Sequence, residues 1–125
     1  MPQEDYYFSV VIPTHNRKGR LVLTLDSVLA QSFKDYEIII VDDGSDDGTR
    51  ELIQTRYNYL NVHYLWQKGS GGPAKPRNVG IRLAKGKWLC FLDSDDLWYS
   101  DKLEILNQEI QNHEKSIVFC HYEHL

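Results

Sequence analysis

The 125-residue sequence has little cysteine, no long apolar run and no excess of basic charge. Its two cysteines, Cys90 and Cys120, lie in apolar segments without metal-site spacing. We therefore expect buried, reduced thiols of a cytosolic protein, and a disulfide between them is the alternative. No stretch approaches the ~20 apolar residues of a membrane-spanning helix, and the N-terminus lacks a signal-peptide pattern, so we expect a soluble chain. The 14 basic and 18 acidic residues give a net charge of -4, which argues against a nucleic-acid partner.

The composition is that of one globular domain over residues 1–125, with 42% hydrophobic and 26% charged residues. Apolar β-branched runs predict strands, and apolar residues at helical spacing predict helices between them. The predicted strands cover residues 8–13, 37–41, 62–66, 87–92 and 116–120. The predicted helices cover residues 17–31, 49–57, 74–84 and 101–113, the third with Gly86 as its C-cap. This alternation predicts an α/β fold, a mainly parallel sheet with helices on both faces.

Polar residues follow three of the predicted strands. They are Pro13-Thr14-His15-Asn16, Asp42-Asp43-Gly44-Ser45 and Asp93-Ser94-Asp95-Asp96. Parallel α/β sheets bind ligands beyond the carboxyl ends of their strands, near the point where the strand order reverses. The sequence therefore predicts a ligand site built from these three segments.

The Asp93-x-Asp95 segment is the strongest chemical signal. Two carboxylates fixed at a strand end can hold a hard cation such as Mg²⁺ or Mn²⁺, which usually completes its shell with water and substrate phosphate oxygens. The alternative is structural, because Asp95 or Asp96 could cap a following turn. Spacing alone leaves both interpretations open.

The acidic turn after the second predicted strand also has several interpretations. A carboxylate at this place can accept hydrogen bonds from a nucleotide base or ribose. The turn partly matches a calcium-binding loop, but position twelve would be Gln54 rather than glutamate, and a strand precedes it. A plain Asp/Gly turn, with Asp47 or Thr49 starting the next helix, accounts equally well for Asp46 to Gly48.

The glycine-rich segment at residues 68–73 predicts a loop that can approach a ligand closely. It lacks the Gly-Lys-Ser/Thr of a P-loop. Arg77 follows it and could pair with phosphate oxygens or lie in solvent. Lys68 and Lys75 have the same two interpretations.

Four ordered segments resemble a family 2 glycosyltransferase, the inverting group with the GT-A fold. They are VVIPTHNR at residues 10–17, IIIVDDGSDDGT at 38–49, GGPAKPRNVGIRLAKG at 71–86 and WLCFLDSDD at 88–96. The resemblance covers nearly the whole chain. It implies a GT-A domain that binds a nucleoside diphosphate sugar, with a UDP-sugar expected, through Mg²⁺ or Mn²⁺. The implied reaction is inverting transfer of the sugar to an acceptor hydroxyl.

The resemblance also implies roles for the matching positions. Asp43 would recognise the base, expected to be uracil, and Arg77 would approach the nucleotide beside Asn78. The implied metal ligands are Asp95 and Asp93, with Asp93 alternatively on the ribose, and Asp96 would orient the site. The full set of implied nucleotide-sugar-binding residues is Pro13, Thr14, Asn16, Arg17, Asp42, Asp43, Arg77, Asp93 and Ser94.

The sequence departs from the family pattern in two ways. Pro76 stands where a helix-friendly residue is common, so the helix around Arg77 is expected to start later. Family members continue past Leu125 with an acceptor-binding region and a general base. We therefore expect a chain truncated at its C-terminus, to which no general base is assigned and which transfers sugar poorly by itself.

The same residues also bear on three other function classes. A non-catalytic nucleotide-binding module of the same fold remains the alternative. A nucleotidyltransferase would need more glycine after the first strand than PTHNRKGR provides, and a phosphatase would need a nucleophilic aspartate there. The expected partners are the donor and an acceptor glycan or lipid, with a homodimer formed through an exposed sheet edge. We expect a cytoplasmic location, at the inner face of the membrane for a longer parent protein of polysaccharide synthesis.

Overall fold

The computed structural model describes residues 5–69 and 74–112, and all structural statements below concern these. Strands and helices alternate along the chain, as the apolar patterns predict. The strands are β1 (Tyr6–Thr14), β2 (Tyr36–Asp43), β3 (Val62–Gln67) and β4 (Gly86–Phe91). The helices are α1 (Lys18–Leu29), α2 (Thr49–Arg56), α3 (Ala74–Leu83) and α4 (Lys102–Asn112).

The four strands form one parallel sheet in the order β3-β2-β1-β4. The chain moves outward from β1 to β3 and then returns to the other side of β1, so the strand order reverses between β1 and β4. Right-handed crossovers in opposite directions place helices on opposite faces of a sheet. The predicted α/β fold, with a parallel sheet and helices on both faces, is confirmed for the described residues.

One face of the sheet and three helices enclose the main core. Alternate strand residues such as Val10, Ile12 and Ile40 point into it and are fully buried. Helix α1 packs its apolar stripe on the same face, and α2 and α4 add buried isoleucines and leucines. Helix α3 packs against β1 and β2 from the other side. Within this sheet, the pairing of β1 with β4 brings the carboxyl ends of these two strands side by side.

Two local predictions around α3 are wrong. The helix begins at Ala74, the start of the predicted range 74–84, so the later start expected from Pro76 is wrong. A proline in the first turn lacks only an N–H that has no partner within the helix. Gly86 is not a C-cap but the first residue of β4. A Cβ there would lie 2.7 Å from the main-chain nitrogen of Ser9, so close packing against β1 requires the glycine.

The remaining boundaries shift by at most two residues, as is common at element ends. Helix α1 ends at Leu29, two residues before the predicted end at Gln31. Cys90 is buried in β4, as predicted. The predicted fifth strand at residues 116–120, Cys120 and most of the glycine-rich loop lie outside the described residues.

Candidate functional site

A cavity of about 790 Å³ opens where the carboxyl ends of β1 and β4 meet, at the reversal of strand order. Its walls are Pro13, Thr14, His15, Arg17, Asp43, Gly69, Pro76, Asp93, Ser94 and Asp95. Seven of these residues are among those that the resemblance implies, six for nucleotide-sugar binding and Asp95 as a metal ligand. Asn16, Asp42 and Arg77 are also implied but do not line the cavity. The functional roles of all ten stay predictions, although the structure brings most of them together.

The Asp-rich loop after β4 supplies the acidic wall of the cavity. The Asp96 N–H donates to the Asp93 carbonyl oxygen at 3.1 Å and closes a tight turn. One oxygen each from Asp93, Asp95 and Asp96 lies within 4.8 Å of the others. Carboxylate oxygens are the ligands that Mg²⁺ and Mn²⁺ prefer, so the donor set fits such a cation. Helix α4 begins only at Lys102, so neither Asp95 nor Asp96 caps it.

Arginines surround this acidic loop. Arg17, just before α1, places Nη1 3.0 Å from Asp95 Oδ2, and Arg20 Nη1 lies 3.9 Å from the same oxygen. On the other side, Arg77 Nη2 lies 3.1 Å from Asp93 Oδ1. Arg77 therefore reaches the site through Asp93 rather than as part of the cavity wall.

The acidic loop and the segment that follows it are held in place by polar side chains in and just after α1. The Thr24 hydroxyl is fully buried and lies 2.7 Å from the Asp96 carbonyl oxygen and 3.1 Å from that of Ser94. The Ser27 hydroxyl accepts the Trp98 N–H at 3.2 Å. The Gln31 side chain donates to the Tyr99 carbonyl oxygen at 2.6 Å. Sequence reasoning missed these residues, although their spacing beside the apolar stripe of α1 marks one helix face.

Thr24→Val is expected to lower the free energy of unfolding by about 1–3 kcal/mol, because it leaves buried carbonyl oxygens without their donor. Urea unfolding followed by circular dichroism measures the change. Thr24→Ser keeps the hydroxyl and is the matched control, with a smaller loss from the missing methyl group. Equal unfolding midpoints for Thr24→Val and the wild type would contradict the role of the hydroxyl.

The two aspartates that end β2 have different surroundings. Asp42 is fully buried, accepts the Ser45 N–H at 2.9 Å, and accepts a short hydrogen bond from the Tyr64 hydroxyl. Burial, and then the bond to Asp42, raise the pKa of Tyr64 far above its usual value, so the hydroxyl stays a proton donor. Asp42 thus lies behind the cavity and shapes the turn, whereas Asp43 lines the cavity.

Asp43 is fixed from two sides. The Gln67 side-chain N–H₂ donates to Asp43 Oδ1 at 3.1 Å. His15 Nδ1 lies 2.8 Å from the Asp43 carbonyl oxygen, as expected for a protonated Nδ1 donor. Gln67 is a positioning residue that no sequence motif identifies, because it meets Asp43 only through the pairing of β3 with β2.

The loops after β1 and β2 are tied to each other. Asn16 has a positive φ of 50°, its N–H donates to Ser45 Oγ at 2.8 Å, and its side-chain oxygen accepts the Asp46 N–H at 2.9 Å. Gly44 has a φ of 88°, and a Cβ there would lie 2.8 Å from the Gly69 nitrogen. Asn16 therefore holds together the two loops at the rim of the cavity. Its implied place near the nucleotide stays a prediction.

The structural interpretation of Asp47 is confirmed. Asp47 Oδ1 accepts the Thr49 N–H at 3.2 Å and the Thr49 hydroxyl at 2.5 Å, while Oδ2 accepts the Lys18 N–H at 3.2 Å. Partial desolvation acts to raise the pKa of Asp47, but these hydrogen bonds lower it overall. Among the described residues, the acidic group with metal-ligand proximity is Asp93, Asp95 and Asp96.

The part of the chain that the structure describes contains no helix with the length and apolar content to cross a bilayer.

Residues 9–124 match the family model described as Glycosyl transferase family 2. An uncharacterized glycosyltransferase of Rickettsia felis is 42% identical over 117 residues, which are 94% of this chain and 19% of the relative. The chain thus spans about a fifth of that relative's length.

Solved structures share the fold. Residues 1–349 of Staphylococcus aureus TarS, solved with UDP-GlcNAc, match with a TM-score of 0.81 and 35% identity, over 86% of this chain and 32% of the solved TarS chain. The mannosyltransferase PcManGT of Pyrobaculum calidifontis, solved with GDP-Man and Mn²⁺, matches with a TM-score of 0.74 and 26% identity, over 88% and 34% of the two chains. Both matches confirm the predicted GT-A fold.

Proposed function

Because this chain belongs to glycosyltransferase family 2, we propose that its cavity binds a nucleoside diphosphate sugar with a divalent cation. The observation that carries the proposal is the joint placement of Asp43 and the Asp93–Asp95 loop in one cavity of about 790 Å³. That volume is within the usual range for small-molecule sites, roughly 300–1,000 Å³. TarS, solved with UDP-GlcNAc, and PcManGT, solved with GDP-Man and Mn²⁺, support a donor of this class.

A UDP-sugar is the donor that we propose. Asp43 Oδ1 is held by Gln67, so the carboxylate is oriented to accept an N–H from a base at the cavity wall. Uracil offers one such N–H at its pairing edge. Thr14 lies beside Asp42 in the paired strands, and its buried hydroxyl oxygen has no hydrogen-bond partner among the described residues. A polar group of the nucleoside would supply that partner.

Asp93 and Asp95 are the residues proposed to hold Mg²⁺ or Mn²⁺, with Asp96 at the back of the loop. When bound, the cation would neutralise charge on the diphosphate leaving group. Arg17 lines the same cavity and can contribute hydrogen bonds to phosphate oxygens. Thr24 fixes the carbonyl oxygens of the loop and so the direction in which these carboxylates point.

The reaction proposed for the whole protein is inverting transfer. An acceptor hydroxyl, deprotonated by a general base, attacks the anomeric carbon as the bond to the diphosphate breaks. None of the residues described above is proposed as that base. The chain spans 19% of its Rickettsia felis relative, so acceptor binding is proposed for the longer protein.

Calorimetric titration of UDP tests the donor site directly. We expect binding in the presence of Mn²⁺ and affinity at least about tenfold lower after EDTA removes the cation. GDP and CDP, titrated under the same conditions, test whether Asp43 favours uracil. Absence of UDP binding with Mn²⁺ would refute the donor site, and equal affinity for all three nucleotides would refute the uracil assignment alone.

A further inference from the structure

The carboxylates proposed as cation ligands are already paired with arginines. Asp95 Oδ2 is contacted by Arg17 at 3.0 Å and approached by Arg20 at 3.9 Å. Asp93 Oδ1 is contacted by Arg77 at 3.1 Å. The arginines come from the start of α1 and from α3, so two elements on opposite faces of the sheet converge on one loop.

The charges of this group balance. Three carboxylates within 4.8 Å of one another would repel strongly. The three guanidiniums of Arg17, Arg20 and Arg77 offset them. A divalent cation arriving alone would leave the group with an excess of two positive charges. A nucleoside diphosphate sugar carries about two negative charges on its phosphates, so the cation and the donor together restore the balance.

The arginines and a cation also compete for the same carboxylates. Arg17 contacts Oδ2 of Asp95, whose carboxylate also offers an oxygen to the acidic group, and a cation on that carboxylate would lie close to a guanidinium of like charge. The side chains of Arg17 and Asp95 are 47% and 35% exposed, so both can be reached from solvent. Arg17 also lines the cavity, where a phosphate would be within reach.

We propose that Arg17 is an internal counter-ion of Asp95 that moves to a donor phosphate when the carboxylate binds a cation, so that cation and diphosphate bind cooperatively. Arg20 and Arg77 support this exchange by keeping positive charge beside the loop. The inference rests on the proposed function. It adds how the two ligands depend on each other: the cation alone binds weakly, and the diphosphate strengthens cation binding because it accepts the displaced arginine.

Arg17→Gln tests the exchange through cation binding rather than activity. Free Mn²⁺ is measured by electron paramagnetic resonance during titration, with and without saturating UDP. In the wild type we expect UDP to strengthen Mn²⁺ binding on the order of tenfold, a typical coupling between sites. Without UDP, Arg17→Gln should bind Mn²⁺ about two- to fivefold more tightly, the size expected from removing an exposed ion pair. The strengthening by UDP should then largely disappear.

Two matched variants complete the test. Arg17→Lys keeps the positive charge and should retain most of the coupling. Arg82→Gln removes an exposed arginine of α3 that forms no ion pair with the loop in the part of the chain that the structure describes, and it should leave both affinities unchanged. Arg20→Gln is a further variant: because its guanidinium is 3.9 Å from Asp95 and 70% exposed, it should tighten free Mn²⁺ binding less than Arg17→Gln does and leave most of the strengthening by UDP in place.

The outcomes separate this inference from the proposed function. If the wild type binds Mn²⁺ and UDP but Arg17→Gln binds free Mn²⁺ no more tightly, the exchange is refuted and the donor site stands. If UDP strengthens Mn²⁺ binding equally in both proteins, the exchange is refuted as well. If the wild type binds no Mn²⁺ even with saturating UDP, the proposed function and the exchange both fail.

Discussion

Asp95→Ala is expected to weaken Mn²⁺-dependent UDP binding on the order of 100-fold, the largest functional effect of any single change in this chain. The variant removes one of the two proposed cation ligands and leaves Arg17 and Arg20 without their carboxylate partner. Calorimetric titration of UDP in Mn²⁺ measures the loss. Binding in EDTA should change much less, because the cation no longer contributes there.

Asp46→Ala is the matched control for this variant. Asp46 is an exposed acid of the turn after β2 and does not line the cavity. Its substitution changes the net charge by the same amount, so any general electrostatic effect on an anionic nucleotide appears in both variants. Comparable losses in the two would contradict a specific role for Asp95. Retained Mn²⁺ dependence in Asp95→Ala would show that the cation binds elsewhere.

The arrangement of the sheet could be predicted from the sequence because it depends on local patterns. The apolar runs of β1, β2 and β4 are long enough to identify buried strands, and the helical spacing between them fixes a parallel topology. Parallel strands end at one edge, so the acids after β2 and β4 were expected at the same edge of the sheet. The strand order, with β4 beside β1, could not be read from those patterns alone.

The different surroundings of the acidic residues could not be predicted, because they depend on contacts between distant segments. Asp42 and Asp43 are adjacent in sequence, but Tyr64 buries one and Gln67 orients the other at the cavity. Strand alternation sends neighbouring side chains to opposite faces, yet only the pairing with β3 decides what each one meets. A motif therefore locates a site, while tertiary contacts decide which of its residues face the ligand.

Polar residues in and just after α1 show a second limit of sequence reasoning. Thr24 and Gln31 are not among the residues that the sequence motifs single out, but the loop after β4 covers them and uses their hydrogen-bonding groups. Gln31 is fully buried just beyond the last residue of the helix. Such residues are recognisable only when the partner loop is known, because a buried polar side chain is stable only with its partners in place.

Glu37→Ala is expected to lower the free energy of unfolding by about 2–4 kcal/mol, the largest stability effect among the acidic residues described above. Glu37 is only 1% exposed and lies on β2 beside Ser9 of β1. Its Oε2 accepts the Ser9 hydroxyl and the Lys85 N–H, both at 2.6 Å. Oε1 lies 3.2 Å from His63 Nε2 on β3. One side chain thus joins three strands to the segment that leads into β4.

Truncation to alanine would leave a cavity and at least two buried donors without acceptors, whereas Glu37→Gln keeps an oxygen for Ser9 and Lys85 and should cost less. Glu51→Ala, at an exposed position of α2, is the surface control. Urea unfolding gives the stabilities, and UDP titration in Mn²⁺ gives the affinity of the folded fraction. Because Glu37 lies near the amino end of β2, far from the cavity wall, the affinity should remain that of the wild type. An unchanged unfolding midpoint for Glu37→Ala would refute the structural role. A loss of UDP affinity in the folded protein would show that Glu37 also affects the donor site.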